Sequence, residues 1–366
     1  MASAPHPLVG ATATDSARQR ILIVDDSAVA RAVMERIVAA TDRYAVAASV
    51  STVAAALRFL KGEEVAYVLL DVQLPQVDGL TALPDLIAAG RGARVLVVSG
   101  MASDGAATTV QALALGAADT LFKPAAGQRM NQFGAALVDK LDRLSGAIPA
   151  AGNDREVDIA PITPALPTGI VPDGAEYDVV AIGASTGGIH ALSQLLRAIP
   201  PEFRLPILVT QHLPASFMPY FAAQLAVIGG RPCDVATDRM RLRPGRIVVA
   251  PGDAHIRCVG LADGSAAIRL STEPAASGCM PSVDPMLASM AGVFGPRMLA
   301  VMLSGMGRDG VDGARQVHRA GGCVVVQDQA SSVIWGMPGA VAEAGIADAV
   351  LPPDAIGMIA AARRRP

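Results

Sequence analysis

Short β-branched apolar runs recur along this chain, each ending on a polar or glycine residue and each followed by residues at helical spacing. "ILIVDD" precedes "SAVARAVMERIVAA", "AVAASVS" precedes "TVAAALRFLK", and "VAYVLLD", "ARVLVVSG" and "ADTLFKP" continue the alternation. Near-continuous Val/Ile/Leu runs suit strands buried on both faces, so the pattern predicts a parallel sheet between layers of helix. The pattern stops from 145 to 176, "SGAIPAAGNDREVDIAPITPALPTGIVPDGAE", where Pro, Gly and Ala dominate. That composition predicts a semi-extended tether. It resumes at "YDVVAIG" and runs through "LPILVTQH", "GRIVVAPG", "AIRLS", "MLAVMLSG" and "CVVVQD". The expected organisation is a disordered tail over 1–19, an α/β domain over 20–144, a linker over 145–176 and a second α/β domain over 177–366. Both domains are expected to be doubly wound parallel sheets.

Composition narrows the class. Of the 366 residues 52% are hydrophobic, yet no uncharged apolar run reaches the roughly 18 residues a spanning helix needs, so no membrane insertion is expected. The N-terminus lacks a charged-then-apolar signal pattern, and the four cysteines, Cys233, Cys258, Cys279 and Cys323, form no Cys-x-x-Cys pair. A cytoplasmic protein with reduced thiols is the expectation. A net charge of −3 and the lack of a basic recognition helix argue against a nucleic-acid partner.

In the first half the polar residues fall at strand ends: Asp25 and Asp26, Asp71, Ser99 and Lys123. Ligands of a doubly wound sheet bind at that carboxyl edge, so these five are expected to converge. Three neighbouring carboxylates repel one another unless a cation sits among them, and hard oxygen donors suit Mg²⁺. This set, carried by "VDDS", "LLDVQLPQVDGL", "VVSG" and "FKPA", resembles the receiver domain of response regulators, which implies a flavodoxin-like fold. The resemblance implies phosphorylation at Asp71 with a histidine kinase as phosphodonor. It also implies Mg²⁺ held directly by Asp26 and Asp71 with Asp25 nearby or acting through water, and a switch made of Ser99 and Lys123. One departure is Thr120, where receivers commonly carry an aromatic residue.

In the second half "VVAIGASTGG" ends a buried strand on Ser185, at the start of a helix marked by Ile189, Leu192, Leu196 and Ile199. The N–H groups and dipole of a helix start favour developing negative charge. Glycines 183, 187 and 188 are expected to let a substrate approach. A phosphate cradle and a raised nucleophile both fit. A P-loop would need a lysine that is absent, and a dinucleotide fold would need glycine where Ser185 stands. A serine nucleophile needs a base and an orienting acid. Of five histidines, His212 ends the run "PILVTQH" on the same sheet edge. His190 and His318 lie in helical stretches, His255 reads as a turn or edge, and His6 is in the tail. Asp309 follows another strand in "MLAVMLSGMGRDG".

The series "AIGASTGG", "TQHLPASF", "VAPGDAH", "PSVDPML", "LSGMGRDG" and "SSVIWGMP" resembles the catalytic domain of chemotaxis protein-glutamate methylesterases. The resemblance implies a Rossmann-like three-layer domain, with Ser185 as nucleophile, His212 as base and then acid, and Asp309 as orienter. Backbone N–H groups near Met306 would face the oxyanion. Hydrolysis would need no cofactor; its substrates would be methyl-accepting chemoreceptors, with deamidation of their glutamines as a second reaction. The receiver would inhibit the catalytic domain until phosphorylated. Two departures stand out: Cys279-Met280 where relatives carry His-Arg, and Met218 where threonine is common. Arg239, Arg241, Arg243 and Arg246 read either as a site for acidic receptor helices or, with more weight, as a solvated hairpin flank. Phe217, Met218 and Tyr220 read either as site lining or, with more weight, as core.

Overall fold

The computed structural model describes residues 18–100, 105–123, 130–146, 177–363 and 365–366. The expected tail up to residue 17 and the expected linker from 147 to 176 lie outside the described residues. Contacts divide the chain into two compact units, Met1–Val98 and Ser99–Pro366.

The first sheet is built from β1 (Gln19–Val24), β2 (Tyr44–Val50), β3 (Tyr67–Asp71), β4 (Arg94–Ser99) and β5 (Asp119–Phe122), in the order β2-β1-β3-β4-β5. That is the flavodoxin-like order, whose switch point lies between β1 and β3. Ile21, Leu22, Ile23 and Val24 of β1 are all fully buried, as a strand covered on both faces must be. The accompanying helices are α1 (Ala28–Ala39), α2 (Val53–Gly62), α3 (Gly79–Ala89), α4 (Gly105–Ala114) and α5 (Met130–Ser145). The first three start on side-chain caps from Ser27, Thr52 and Asp78, which accept otherwise unpaired N–H groups.

From Val179 onward the strands are β6 (Val179–Ala184), β7 (Ile207–Gln211), β8 (Cys233–Val235), β9 (Ile247–Val249), β10 (His255–Gly260), β11 (Ala266–Ser271), β12 (Met298–Met302), β13 (Cys323–Gln327) and β14 (Ala349–Leu351). Seven of them form one parallel sheet in the order β14-β13-β12-β6-β7-β9-β8. The helices are α6 (Gly188–Arg197), α7 (Met218–Gly229), α8 (Val283–Phe294), α9 (Val311–Arg319), α10 (Met337–Glu343) and α11 (Pro353–Ala362). Alternate strand residues feed two cores. Val180, Ile182, Ile207 and Val209 meet α6, α7 and α11, whereas Val179, Ala181, Leu208 and Ala300 meet α8, α9 and α10. This is the three-layer arrangement the apolar runs predict.

The segment "AIRLS" departs from the expected parallel sheet. It is β11, paired antiparallel with β10 in a separate two-stranded sheet. His255, read as a turn or edge, is the first residue of β10 in that two-stranded sheet, an edge position, and is fully buried. The edge strands β8 and β14 are three residues each, too short to carry a periodic signal. Among the described residues no helix is long and apolar enough to cross a membrane.

Candidate active site

Ser185 leaves β6 at the centre of the seven-stranded sheet, three residues before α6 begins. Its N–H donates to the Ser304 carbonyl at 3.0 Å, and its own carbonyl accepts from Gly188 N–H at 2.8 Å and Gln211 Nε2 at 3.0 Å. The backbone is therefore held from three directions while the side chain is half-buried. Glycines surround it for a different reason from the expected substrate approach. A Cβ at Gly183 would meet Val283 Cγ1 at 2.6 Å, one at Gly187 would meet Val333 Cβ at 2.5 Å, and one at Gly188 would meet Ala184 Cβ at 2.6 Å. These positions are small because the protein packs against itself there.

His212 follows β7 directly. In the register of β6 and β7, Ala184 faces Gln211, so Ser185 and His212 leave neighbouring strands side by side. The His212 N–H donates to the Ala184 carbonyl at 3.1 Å. On the other side of β6 lies β12, whose Met302 faces Gly183 and whose following loop carries Asp309. The His212 Nε2 to Asp309 Oδ2 distance is 2.8 Å, joining residues 97 apart in sequence. An ionised carboxylate only accepts, so Nε2 donates and the neutral ring keeps its lone pair on Nδ1.

Asp309 is 3% exposed. Burial alone would raise its pKa. Hydrogen bonds from His212, from Ser282 Oγ at 2.6 Å and from Val283 N–H at 2.8 Å outweigh burial and hold the carboxyl below the usual carboxylate range. Behind it Asp284 is pushed up to about 6, by burial first and then by the Asp309 charge, against the Gly313 N–H bond at 2.7 Å. The Ser282 N–H donates to His255 Nδ1 at 2.9 Å, and His255 Nε2 faces the Glu273 carbonyl at 2.9 Å. His255 thus anchors the segment that presents Ser282 to Asp309. Neither residue carried a catalytic signal in sequence, because a buried histidine bonded to backbone has no pattern of its own.

Two more buried polar groups set the loops. Ser304 N–H donates to Gln327 Oε1 at 2.7 Å, and Ser304 Oγ bridges the Thr186 carbonyl at 2.8 Å and Ile334 N–H at 3.0 Å. Within this unit Ser185 and His212 line one cavity of about 80 Å³, together with Gln211, Leu213, Leu113, Ala118 and Asp119. Met306 lines a different, larger cavity with Trp335 and Arg143, although a Cβ on its neighbour Gly305 would lie 2.8 Å from Ser185 Cβ.

The remaining histidines go elsewhere. His190 Nδ1 faces the Ala114 carbonyl at 3.2 Å, and His318 is exposed near the end of α9. Arg246 makes two bonds to Asp234 at 2.6 and 2.8 Å, Arg241 pairs with Asp263 at 2.7 Å, and Arg239 is 3.7 Å from Asp238, so three of the four arginines have carboxylate partners. Met218 is core at 1% exposure and Phe217 packs against it, but Tyr220 is 42% exposed.

In the first unit, Asp25 follows β1, Asp26 comes next, and Asp71 ends β3. One carboxylate oxygen of each lies within 4.8 Å of the others; Asp25 and Asp71 are buried and Asp26 is exposed. Three hard oxygen donors on a half-open edge fit a hexacoordinate Mg²⁺ that keeps water ligands. In β4, Val98 faces Asp71. Ser99 ends the same strand, and its carbonyl accepts from Lys123 N–H at 2.7 Å.

A family model described as CheB methylesterase matches residues 180–359, and one described as response regulator receiver domain matches 21–133. Over 362 residues the chain is 40% identical to the protein-glutamate methylesterase/protein-glutamine glutaminase 1 of Paramagnetospirillum magneticum, covering 93% of this chain and 94% of that protein. This chain belongs to the protein-glutamate methylesterase/protein-glutamine glutaminase family. The family member of Azospirillum brasilense is 37% identical over 97% of this chain and 94% of its own length. The methylesterase catalytic domain of Thermotoga maritima, a solved structure, is 34% identical with a TM-score of 0.49, covering 51% of this chain and 98% of that one. In this family member a response-regulator receiver precedes the methylesterase domain. The positions read in the sequence as departures from the resemblance fall at distinct places. Met218 is buried in the core, Thr120 sits half-buried in β5 with its N–H on Asp119 Oδ1 at 2.7 Å, and Cys279 lies in the loop before Ser282.

Proposed function

We propose that this chain hydrolyses γ-glutamyl methyl esters on methyl-accepting chemoreceptors, releasing methanol, and deamidates receptor glutamines, releasing ammonia. The observation that carries the reading is the 2.8 Å His212–Asp309 bond beside Ser185 on one sheet edge. Ser185 Oγ attacks the ester carbonyl while His212 takes its proton, and the imidazolium then protonates the leaving methoxide. Asp309 holds the ring with Nε2 as donor and offsets the charge that forms. The Met306 N–H is the candidate oxyanion donor, a contribution of about 3 kcal/mol if aimed at the developing charge. Water repeats the attack on the acyl-serine, and no cofactor enters these steps. The placement of Ser185 and Asp309 around the β6/β12 switch point supports a site for an external ligand.

The receiver regulates this site in the same proposal. A chemotaxis histidine kinase donates a phosphoryl group to Asp71. Asp25, Asp26 and Asp71 would hold Mg²⁺, which when bound offsets carboxylate and phosphoryl charge. Lys123 and Ser99 answer the new phosphoryl group. The cavity at Ser185, about 80 Å³, is far below the roughly 300 Å³ or more of ordinary ligand sites. Residues 113, 118 and 119 form part of its wall, which supports occlusion before phosphorylation. The domain limits proposed are 20–144 and 177–366, joined by 145–176.

A hydrolase using His318 as base is a weaker reading, since that ring is exposed at the far end of α9. Mass spectrometry of methylated receptor peptides, incubated with wild type or Ser185→Ala with and without acetyl phosphate, tests the proposal. Methyl loss confined to wild type and increased by acetyl phosphate is expected. Methyl loss at the wild-type rate in Ser185→Ala removes the nucleophile assignment.

A further inference from the structure

The sulfur of Cys279, a position singled out in the sequence, is not remote from the proposed chemistry. A ring nitrogen of His212, the Cys279 Sγ and a carboxylate oxygen of Asp309 all lie within 4.8 Å of one another. Imidazole, thiolate and carboxylate are the three ligand types of zinc, at Zn–S about 2.3 Å and Zn–N about 2.0–2.1 Å, so closing the set requires shifts of about an ångström. Cys279 N–H donates to Ser277 Oγ at 3.3 Å, and Ser282 Oγ and Val283 N–H at the loop's end bond Asp309 itself. Cys279 and His212 are half-buried, leaving a path for a cation and a fourth position for water.

We propose that His212, Cys279 and Asp309 form a binding site for a thiophilic divalent cation, represented by Zn²⁺, and that its occupancy stops ester hydrolysis. Thiolate and carboxylate together offset the two positive charges. The thiol proton goes to solvent as the Zn–S bond forms, while the imidazole keeps its single proton. If Nε2 binds the cation, that proton moves to Nδ1 and the lone pair needed by Ser185 is gone. If Nδ1 binds, the lone pair is spent on the metal. In both cases the base is lost, so inhibition follows from ligand identity alone. The binding half stands on geometry. The inhibition half rests on the function proposed above.

The test uses the full-length protein with Co²⁺ as optical probe and excess Mg²⁺ to occupy the Asp25–Asp26–Asp71 cluster. Wild type and Ser185→Ala are expected to show a sulfur-to-cobalt charge-transfer band saturating at one equivalent. Cys279→Ser should lose the band and weaken binding by about tenfold or more, and Cys279→His should regain affinity without the band. Zn²⁺ should inhibit wild-type hydrolysis reversibly by EDTA, with Cys279→Ser requiring about ten times more, each measured against its own metal-free rate. No band in wild type, or equal affinity in Cys279→Ser, overturns the site. A band without inhibition of an active enzyme overturns the shut-off. Failure of ester hydrolysis in every sample, with the band intact, strikes the proposed function and leaves the metal site standing.

Discussion

Asp309 keeps its charge in a buried place because three donors converge on it, and each donor is a separate lever. Ser282→Ala removes the 2.6 Å hydroxyl bond, a loss of about 1.5–3 kcal/mol for a bond to a charged acceptor. The expected outcome is kcat lower by about tenfold with KM little changed. Steady-state kinetics checks this; an unchanged kcat would show that Ser282 does not tune Asp309. Asp309→Asn should cost more, about 10³–10⁴ in kcat, since the amide no longer fixes the tautomer. Asp284 works in the opposite direction. Its pKa is raised to about 6, so its contribution to stability is full below the ordinary carboxylate value and is lost as pH rises through 6. The thermal midpoint should therefore contain a falling component between about pH 4 and pH 7.5, which Asp284→Asn removes; calorimetry at both ends measures it. Asp309, held low, contributes stability that is present above its unfolded value and lost only in strong acid.

At the scale of an element, the turn from β6 into α6 depends on two separate properties of Gly187. Its φ is +77°, and a Cβ would lie 2.5 Å from Val333 Cβ and 2.7 Å from Ser304 Oγ. Gly345, after α10, shares the backbone conformation at φ +66° but has nothing within 4 Å of a Cβ. Gly345→Ala should cost about 1 kcal/mol from backbone strain alone, and Gly187→Ala roughly 2–3 kcal/mol or more because overpacking adds to it. Denaturant melts of the two variants measure the difference. Equal losses would mean that the Val333–Ser304 contact yields freely. The elements themselves were readable: the apolar runs in "ILIVDD", "VAYVLLD", "ARVLVVSG", "YDVVAIG", "LPILVTQH", "GRIVVAPG", "MLAVMLSG" and "CVVVQD" each overlap a strand, and "TVAAALRFLK" is the helix its spacing predicts. The assignment of "AIRLS" to the parallel sheet failed because period-two burial is the same for a hairpin on the flank and a strand in the sheet. The three-residue edges β8 and β14 exist only through their neighbours' hydrogen bonds.

For the whole molecule, regulation is the property to test. In the second unit α4 packs on α6 and α7, and Val110 and Ala114 of α4 join the same core as Leu192 and Phe221. Under the proposed regulation this helix, whose Leu113 lines the Ser185 cavity, would be displaced on phosphorylation. Asp71→Asn should abolish activation by a phosphodonor while basal hydrolysis persists, and a fragment beginning at Tyr177 should hydrolyse without one. Initial rates with and without acetyl phosphate decide it. A fragment no faster than the unphosphorylated full chain would show that release of α4 is not what limits the enzyme.

By itself the sequence determined the alternation of strands and helices, the polar residues at strand ends and the family to which they belong, because these are encoded in local burial and in short motifs. It also marked Ser185, His212 and Asp309 as candidates. Only the tertiary structure decided that His212 and Asp309 bond across 97 residues, that His255 and Ser282 stand behind them, that the glycines admit neighbouring side chains, and that the Cys279 sulfur lies within 4.8 Å of the same carboxylate. The physical reason is range. Hydrophobic period reports which face of an element is buried, whereas a hydrogen bond or a ligand set depends on which distant loops the sheet order brings to one edge.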